Sequence, residues 1–275
     1  MEATWKALHD SVVPNLTGYI GVGIDTSGNA VLLHYVDEDI NNIKGLCAKA
    51  GIDIDMVKLE KLPAPLAPTA SIRVGGTSYN STRSVTTSAC VGVSGPAGNG
   101  FVVQGHDTKV GDTIKTGSSG STMGSVNARC QPMASGYEAD ASYVKLNSGN
   151  SFNNTVANLA APNTVAAGQT FGVYNGLPVH MTARHATASS PWNSGYVTAE
   201  NYTYSWDDRD GRTHNYIGAL ADYTSIAGDS GGFVFVYTNL GPIWAGVQSG
   251  GGAGVPYSSF ARATDVASSM GVSVN

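Results

Sequence analysis

"GDSGGFVFVY", Gly228–Tyr237, is the stretch whose reading decides the fold. It sets one hydroxyl, Ser230, in a glycine-rich turn and then runs at once into large apolar residues. A serine hydroxyl is a weak nucleophile that needs a base within hydrogen-bond reach. It also needs backbone N–H groups aimed at the oxyanion that develops during attack. Glycines let a turn tighten enough to point those groups at one spot. The plain reading of the same five residues is a Gly-Ser turn. The residues after the turn narrow the choice of fold: "GGFVFVY" reads as a strand, whereas the nucleophile elbow of the strand–turn–helix hydrolases needs a helix there.

Outward from this stretch the pattern repeats. "GFVVQGH" (100–106), "ASYVKLN" (141–147), "TFGVYN" (170–175) and "IWAGVQSG" (243–250) are short apolar strand runs. Turn clusters separate such runs: "GPAGNG" (95–100), "GSSGS" (117–121) and "NSGNS" (147–151). In the part of the chain beyond residue 70, only "TDVASSMG" (264–271) reads as a helix. Glycine at 35 of 275 residues and a charged share of 13% fit many strands joined by turns. The fold expected is mainly β, a sandwich or barrels.

Charge and hydropathy exclude other classes. With a formal net charge of -5 no basic face is forced, so nucleic acid is not an expected partner. No run approaches the roughly 18 apolar residues of a membrane span. The opening "MEATWKALHD" lacks the basic and apolar regions of a signal peptide, so either the chain stays inside the cell or a signal has been removed. Cys47, Cys90 and Cys130 make neither a dense disulfide framework nor a metal-site spacing. No metal or cofactor is expected. "SWDDRDGR" (205–212) offers three aspartates but no EF-hand loop, and reads as a solvated hairpin turn.

The chain changes character near residue 69. Residues 1–69 hold 5 Lys/Arg and 9 Asp/Glu, a net of -4, whereas residues 70–275 come to -1. The proline-rich "LPAPLAPTA" (62–70) reads as a linker. The first part reads as a small α/β unit. Trp5, Leu8 and Val12 share a helical face, "YIGVGID" (19–25) and "AVLLHYV" (30–36) are strands, and "IDIDMVKLEKL" (52–62) returns as a third. Between them runs a helix with Ile40, Ile43, Leu46 and Cys47 on one side, capped by Asp37 and closed by Gly51.

The base for Ser230 should be a histidine. His106 ends the run "GFVVQGH", which holds it at a strand terminus, and Asp140 stands where "ASYVKLN" begins. Each alone reads as an ordinary structural residue. The chain order His106, Asp140, Ser230 is the chymotrypsin order, distinct from that of subtilisins and α/β-hydrolases.

With those residues in place, the second part resembles the bacterial chymotrypsin-like serine proteases, the alpha-lytic protease and streptogrisin group. The resemblance runs through "IRVGGTSY" (72–79), "CVGV" (90–93), "GFVVQGH", "DASYVKL" (140–146), "GYVTAENYTY" (195–204) and "GDSGG" to "AGVQSGG" (245–251). The first part resembles the C-terminal lobe of that family's pro-region, through "YIGVGID" and the helix ending "CAKAG". The implied architecture is a two-barrel protease domain over 70–275, six strands to each barrel, behind a small α/β pro-region lobe and linker over 1–69.

The resemblance also implies roles. Ser230 is the nucleophile, His106 the general base and Asp140 the residue that orients it. The N–H groups of Gly228 and Ser230 form the oxyanion hole. Ser249, Gly250 and Gly251 take the substrate backbone as an added strand. Thr224, Ser225 and Gln248 line a specificity pocket, with Tyr257 at its base. Thr224 stands where a charge selects basic side chains, so uncharged, small to medium apolar side chains are expected. The family pairs the aspartate at Asp229 with an arginine, for which Arg184 is the candidate. Several family cysteines are missing: Asp107 and Thr224 stand at two of their positions, Cys90 has lost its usual partner, and Cys130 is the candidate to pair with it, a pairing the sequence leaves open. Expected partners are protein or peptide substrates and the chain's own residues 1–69, with a monomer secreted after signal removal. Two other classes remain open. One is an inactive chymotrypsin-fold binding protein, and the other is a stable zymogen whose first part stays docked.

Overall fold

The computed structural model describes the chain except residues 17–18, 26–28, 36–37, 62–70, 134–135, 188, 208–212 and 252–255. The linker, the cap position Asp37 and most of the aspartate-rich turn therefore lie outside the described residues. Two compact units emerge, Met1–Ala67 and Pro68–Asn275. Among the described residues no helix is long and apolar enough to cross a membrane.

The first unit is a three-stranded sheet with helices. Tyr19–Asp25 pairs antiparallel with Ala30–Tyr35, which pairs parallel with Val57–Lys61. The parallel return needs a crossover, and the helix Ile40–Lys49 supplies it. Its cap is Asp39, two residues beyond the expected Asp37, whose carboxylate accepts the Asn41 N–H at 2.9 Å. Gly51 leaves the helix at φ +69°, the left-handed conformation that favours glycine. Leu8 and Val12 from the N-terminal helical segment, Val31 and Leu33 from the sheet, and Ile43 and Cys47 from the crossover helix meet in one buried cluster.

The second unit has two β halves. The first is an eight-stranded antiparallel sheet in spatial order Ser273–Val274, Gly92–Gly95, Gly98–Val103, Ser142–Leu146, Thr122–Arg129, Thr113–Lys115, Thr77–Asn80 and Val85–Ser88. The resemblance implied six strands here; eight pair in this sheet, the one at its edge, Ser273–Val274, being two residues long. The second half is a closed antiparallel barrel of six strands, Pro178–Thr182, Asn193–Asp207, Thr213–Ala221, Ser258–Arg262, Gly241–Gly250 and Phe233–Thr238. The expected strand "TFGVYN" is absent; Thr170 makes only an isolated bridge to Trp244.

The unbroken apolar runs have a physical reason. Successive strand side chains point to opposite faces, and here both faces are covered. Val234 and Val236 fill the closed barrel, while Phe233 and Phe235 join Val91, Val102, Tyr143 and Trp244 in a core shared by the two halves. Phe101 and Val103 likewise face the core of the first half, with Val126 and Val144. The terminal helix Ala263–Met270 ends at Gly271, φ +62°, and places Val266 and Met270 in the shared core.

All three cysteines are free and buried, which corrects the expected Cys90–Cys130 disulfide. The Cys90 thiol points to the Gly246 carbonyl at 3.6 Å. Burial pushes the Cys130 thiol up to about 12, so it remains a neutral thiol in its apolar site.

Candidate active site

Strand pairing brings His106 and Asp140 together. Gly98–Val103 and Ser142–Leu146 are antiparallel neighbours with Val103 opposite Ser142. The residues leaving the first strand therefore lie beside those entering the second. Asp140 is fully buried and spends both oxygens there. One accepts the N–H groups of Gly105 and His106 at 2.8 and 2.7 Å. The other lies 2.7 Å from His106 Nδ1. Burial pushes the Asp140 carboxyl up, but the charge and hydrogen bonds of His106, with help from Ser249, hold it below the usual carboxylate range. An ionised Asp140 fixes the tautomer that carries its hydrogen on Nδ1 and leaves Nε2 to accept.

Ser230 comes from the other half, in the turn before Phe233–Thr238. It opens onto the same cleft as His106, a space of about 220 Å³ also lined by Asp107, Ser225, Ile226, Ala227, Gln248, Ser249, Gly250 and Gly251. The Ser230 hydroxyl donates to the Ser249 carbonyl at 3.0 Å. Ser88 ties the turn to the first half. Its N–H donates to the Ser230 carbonyl at 2.8 Å and its hydroxyl to the Gly228 carbonyl at 3.1 Å.

The turn's carbonyls are held from behind. In a trans peptide the C=O and the following N–H point in opposite directions. Arg184 Nη2 donates to the Ala227 carbonyl at 3.4 Å, which turns the Gly228 N–H the other way. Gly232 N–H donates to the Asp229 carbonyl at 2.8 Å, which does the same for the Ser230 N–H. Among the described residues neither N–H has a protein acceptor. Gly228 has φ +92°, and a Cβ there would stand 2.3 Å from Arg184 Nε, so only glycine lets the guanidinium lie against the turn.

The partner of Asp229 is His185, not Arg184. Asp229 is 3% exposed; one carboxylate oxygen lies 2.7 Å from His185 Nδ1 and the other accepts the Ile226 N–H at 2.9 Å. Arg184 is occupied with the carbonyls of Ala227 and Gly228. The two residues are adjacent in "TARHA", and sequence could not show which would reach the carboxylate.

Of the expected pocket residues, Ser225 and Gln248 line the cleft and Thr224 does not. The Thr224 carbonyl accepts from Asn193 Nδ2 at 2.7 Å, and the residue faces an adjoining cavity of about 120 Å³ with His185, Trp192 and Asn193, which shares Ser225 and Ile226 with the cleft. Tyr257 is 46% exposed and is not among the cleft residues. Sequence reasoning missed Asp107 as a site residue; its carboxylate stands 3.6 Å from His106 Nε2. Its adjacency to the histidine was the available signal.

No protein-family model matches the chain. Solved structures do match. Thermobifida fusca protease A is 20% identical, with 74% of this chain and 98% of that one covered, at a TM-score of 0.56. A Nocardiopsis protease is 20% identical, covering 75% of this chain and 100% of that one, at 0.57. A glutamic acid specific serine protease, which uses a histidine triad in substrate binding, is 24% identical over 74% and 100%, also at 0.57. At such identities the likeness speaks for architecture, and it agrees with the paired β halves described above. The chain is built on the fold of the bacterial chymotrypsin-like serine proteases.

Proposed function

We propose that the protein is a serine endopeptidase working through His106, Asp140 and Ser230, made as a precursor whose first unit is a pro-region. One observation carries the catalytic reading. A fully buried carboxylate holds His106 at 2.7 Å on the cleft that Ser230 also lines, beside two backbone N–H groups with no protein acceptor among the described residues.

A substrate strand laid along Ser249–Gly251 presents a backbone N–H to the Ser249 carbonyl, the acceptor that the Ser230 hydroxyl now uses. The displaced hydroxyl turns to His106. His106 Nε2 takes its proton as Ser230 attacks the scissile carbonyl, and Asp140 stabilises the imidazolium. The oxyanion is met by the N–H groups of Gly228 and Ser230. His106 then gives the proton to the leaving amine, and water resolves the acyl-enzyme by the same steps in reverse. The proposed substrates are proteins and peptides, and no cofactor is required. The family resemblance supports the precursor reading and a secreted, monomeric product.

A fluorophosphonate probe tests this. The expected result is one label per chain, placed on Ser230 by mass spectrometry of the peptide and lost in His106→Ala. A folded chain that takes no label is the inactive binding protein instead.

A further inference from the structure

Two residues that line the cleft, Ser225 and Gln248, belong to a hydrogen-bonded set of four buried polar side chains with Tyr223 and Ser258 behind them. Tyr223, Ser225, Gln248 and Ser258 are each at most 2% exposed. The Tyr223 hydroxyl donates to Gln248 Oε1 at 2.7 Å. Gln248 Nε2 donates to Ser225 Oγ at 3.0 Å and to the Gly250 carbonyl at 2.9 Å. Ser258 Oγ lies 2.9 Å from both the Tyr223 carbonyl and Ser225 Oγ. A hydroxyl has one hydrogen. If Ser258 gives its own to the Tyr223 carbonyl, the bond between the serines uses the hydrogen of Ser225. The set then closes: five hydrogens meet five acceptors, and no donor is left over. Ser225 keeps a single free lone pair.

The ring is also fixed in depth. A Cβ at Gly251 would stand 2.0 Å from Ser225 Oγ and 2.8 Å from Ser258 Oγ, so the strand edge lies directly on the ring. Burial, with the charge of Asp229 adding to it, pushes the Tyr223 phenol well above its ordinary value, so the ring stays neutral.

Resting on the peptidase reading, we propose that this ring sets the substrate class. The pocket admits a P1 side chain that needs no hydrogen-bond donor, such as alanine, valine or methionine, and rejects one whose tip is an acceptor. A glutamate or glutamine tip would be buried against a floor with no hydrogen to give. Among the described residues the only carboxylate lining the cleft, Asp107, opposes a second negative charge. A lysine finds one lone pair and no counter-charge on the ring. Ser225 and Ser258 are then specificity-determining residues: they absorb the hydrogens that would otherwise face the substrate.

The test is hydrolysis of succinyl-Ala-Ala-Pro-X p-nitroanilides, with X alanine, methionine, glutamine, glutamate or lysine. Methionine and glutamine differ little in shape, so their ratio isolates the polar tip. Wild type should favour methionine over glutamine by about 10- to 100-fold in kcat/KM, the effect of one buried unsatisfied acceptor. Ser225→Ala removes the acceptor of one Gln248 N–H and turns it into a donor facing the pocket. Ser258→Ala frees the Ser225 hydrogen to do the same. Each variant should narrow the methionine-to-glutamine ratio about tenfold or more. Wild-type cleavage after glutamine or glutamate as fast as after methionine overturns the proposal, as do unchanged ratios in both variants. If one variant does not fold, the other and the wild-type panel still decide. Failure to cleave any peptide, together with no label on Ser230, takes down the peptidase reading and this proposal with it.

Discussion

Asp140 carries the most constrained charge in the site: fully buried, it is held by two N–H groups and an imidazole. Its folded carboxyl lies below the ordinary range, so the unfolded chain takes up a proton first as pH falls. The stabilisation is complete above the unfolded value of about 3.9 and is lost as pH falls through the lower folded value. Asp140→Asn carries no such charge. In urea titrations from neutral pH down to about pH 2, wild type should lose midpoint faster than Asp140→Asn once below about pH 4. A gap that stays constant with pH would mean that the carboxylate gains nothing from His106. The same variant should lower kcat by about 10⁴-fold, because asparagine leaves the imidazole in the wrong tautomer. That His106 meets Asp140 and shares a cleft with Ser230 was legible in sequence because each sits at the end of a recognisable strand run. Thr224 and Arg184 were misplaced for the opposite reason. Their settings depend on which way a loop carbonyl or side chain turns, and a linear pattern does not record that.

The turn Gly228–Gly232 is the element on which the proposed chemistry depends, and it is held from both sides. Ser88 supplies two bonds from the first half, and Arg184, His185, Gln248 and Ser249 supply others from the barrel half. His185 acts through Asp229, so it is a positioning residue rather than a catalytic one. His185→Ala leaves the buried Asp229 carboxylate with the Ile226 N–H alone and should let the oxyanion groups drift. The expected result is a kcat about 10- to 100-fold lower with KM little changed, a fraction of what losing an oxyanion donor costs. Asparagine places its amide nitrogen near where Nδ1 stands, and His185→Asn should restore most of the rate. A rise in KM alone, or no rescue, would rule out this role. Strands were legible wherever both faces are buried, as in "GFVFV" and "GFVVQ", because the apolar run is then continuous. "TFGVYN" also carries strand-forming residues, yet Tyr174 is 53% exposed and only Thr170 makes a bridge. Composition cannot tell a strand from an apolar segment lying along a barrel. The cysteine pairing failed similarly: two buried thiols in one core cluster need not face each other.

At the scale of the whole molecule, a compact acidic α/β unit precedes a β unit that carries the site. The change in charge near residue 69 and the prolines of 62–70 made that division readable. The ring behind the cleft was not readable, because the bonds that join Tyr223, Ser225, Gln248 and Ser258 to one another span 23 to 35 residues of chain and form only when the barrel closes. If Ser230 is the nucleophile, the chain is both enzyme and substrate: "APTASIR" (67–73) offers small uncharged side chains of the kind the pocket admits. Wild type and Ser230→Ala, purified side by side, carry the decisive comparison. On a denaturing gel, wild type should separate into fragments of about 7 and 21 kDa by residue count, and the variant should run at full length. Peptide-amide hydrolysis by these two preparations, with matched unfolding curves to show that both are folded, asks the question of the nucleophile itself. The expected outcome is a kcat about 10⁴-fold or more lower in Ser230→Ala. Undiminished hydrolysis by folded Ser230→Ala would remove Ser230 as the nucleophile and, with it, the proposed mechanism.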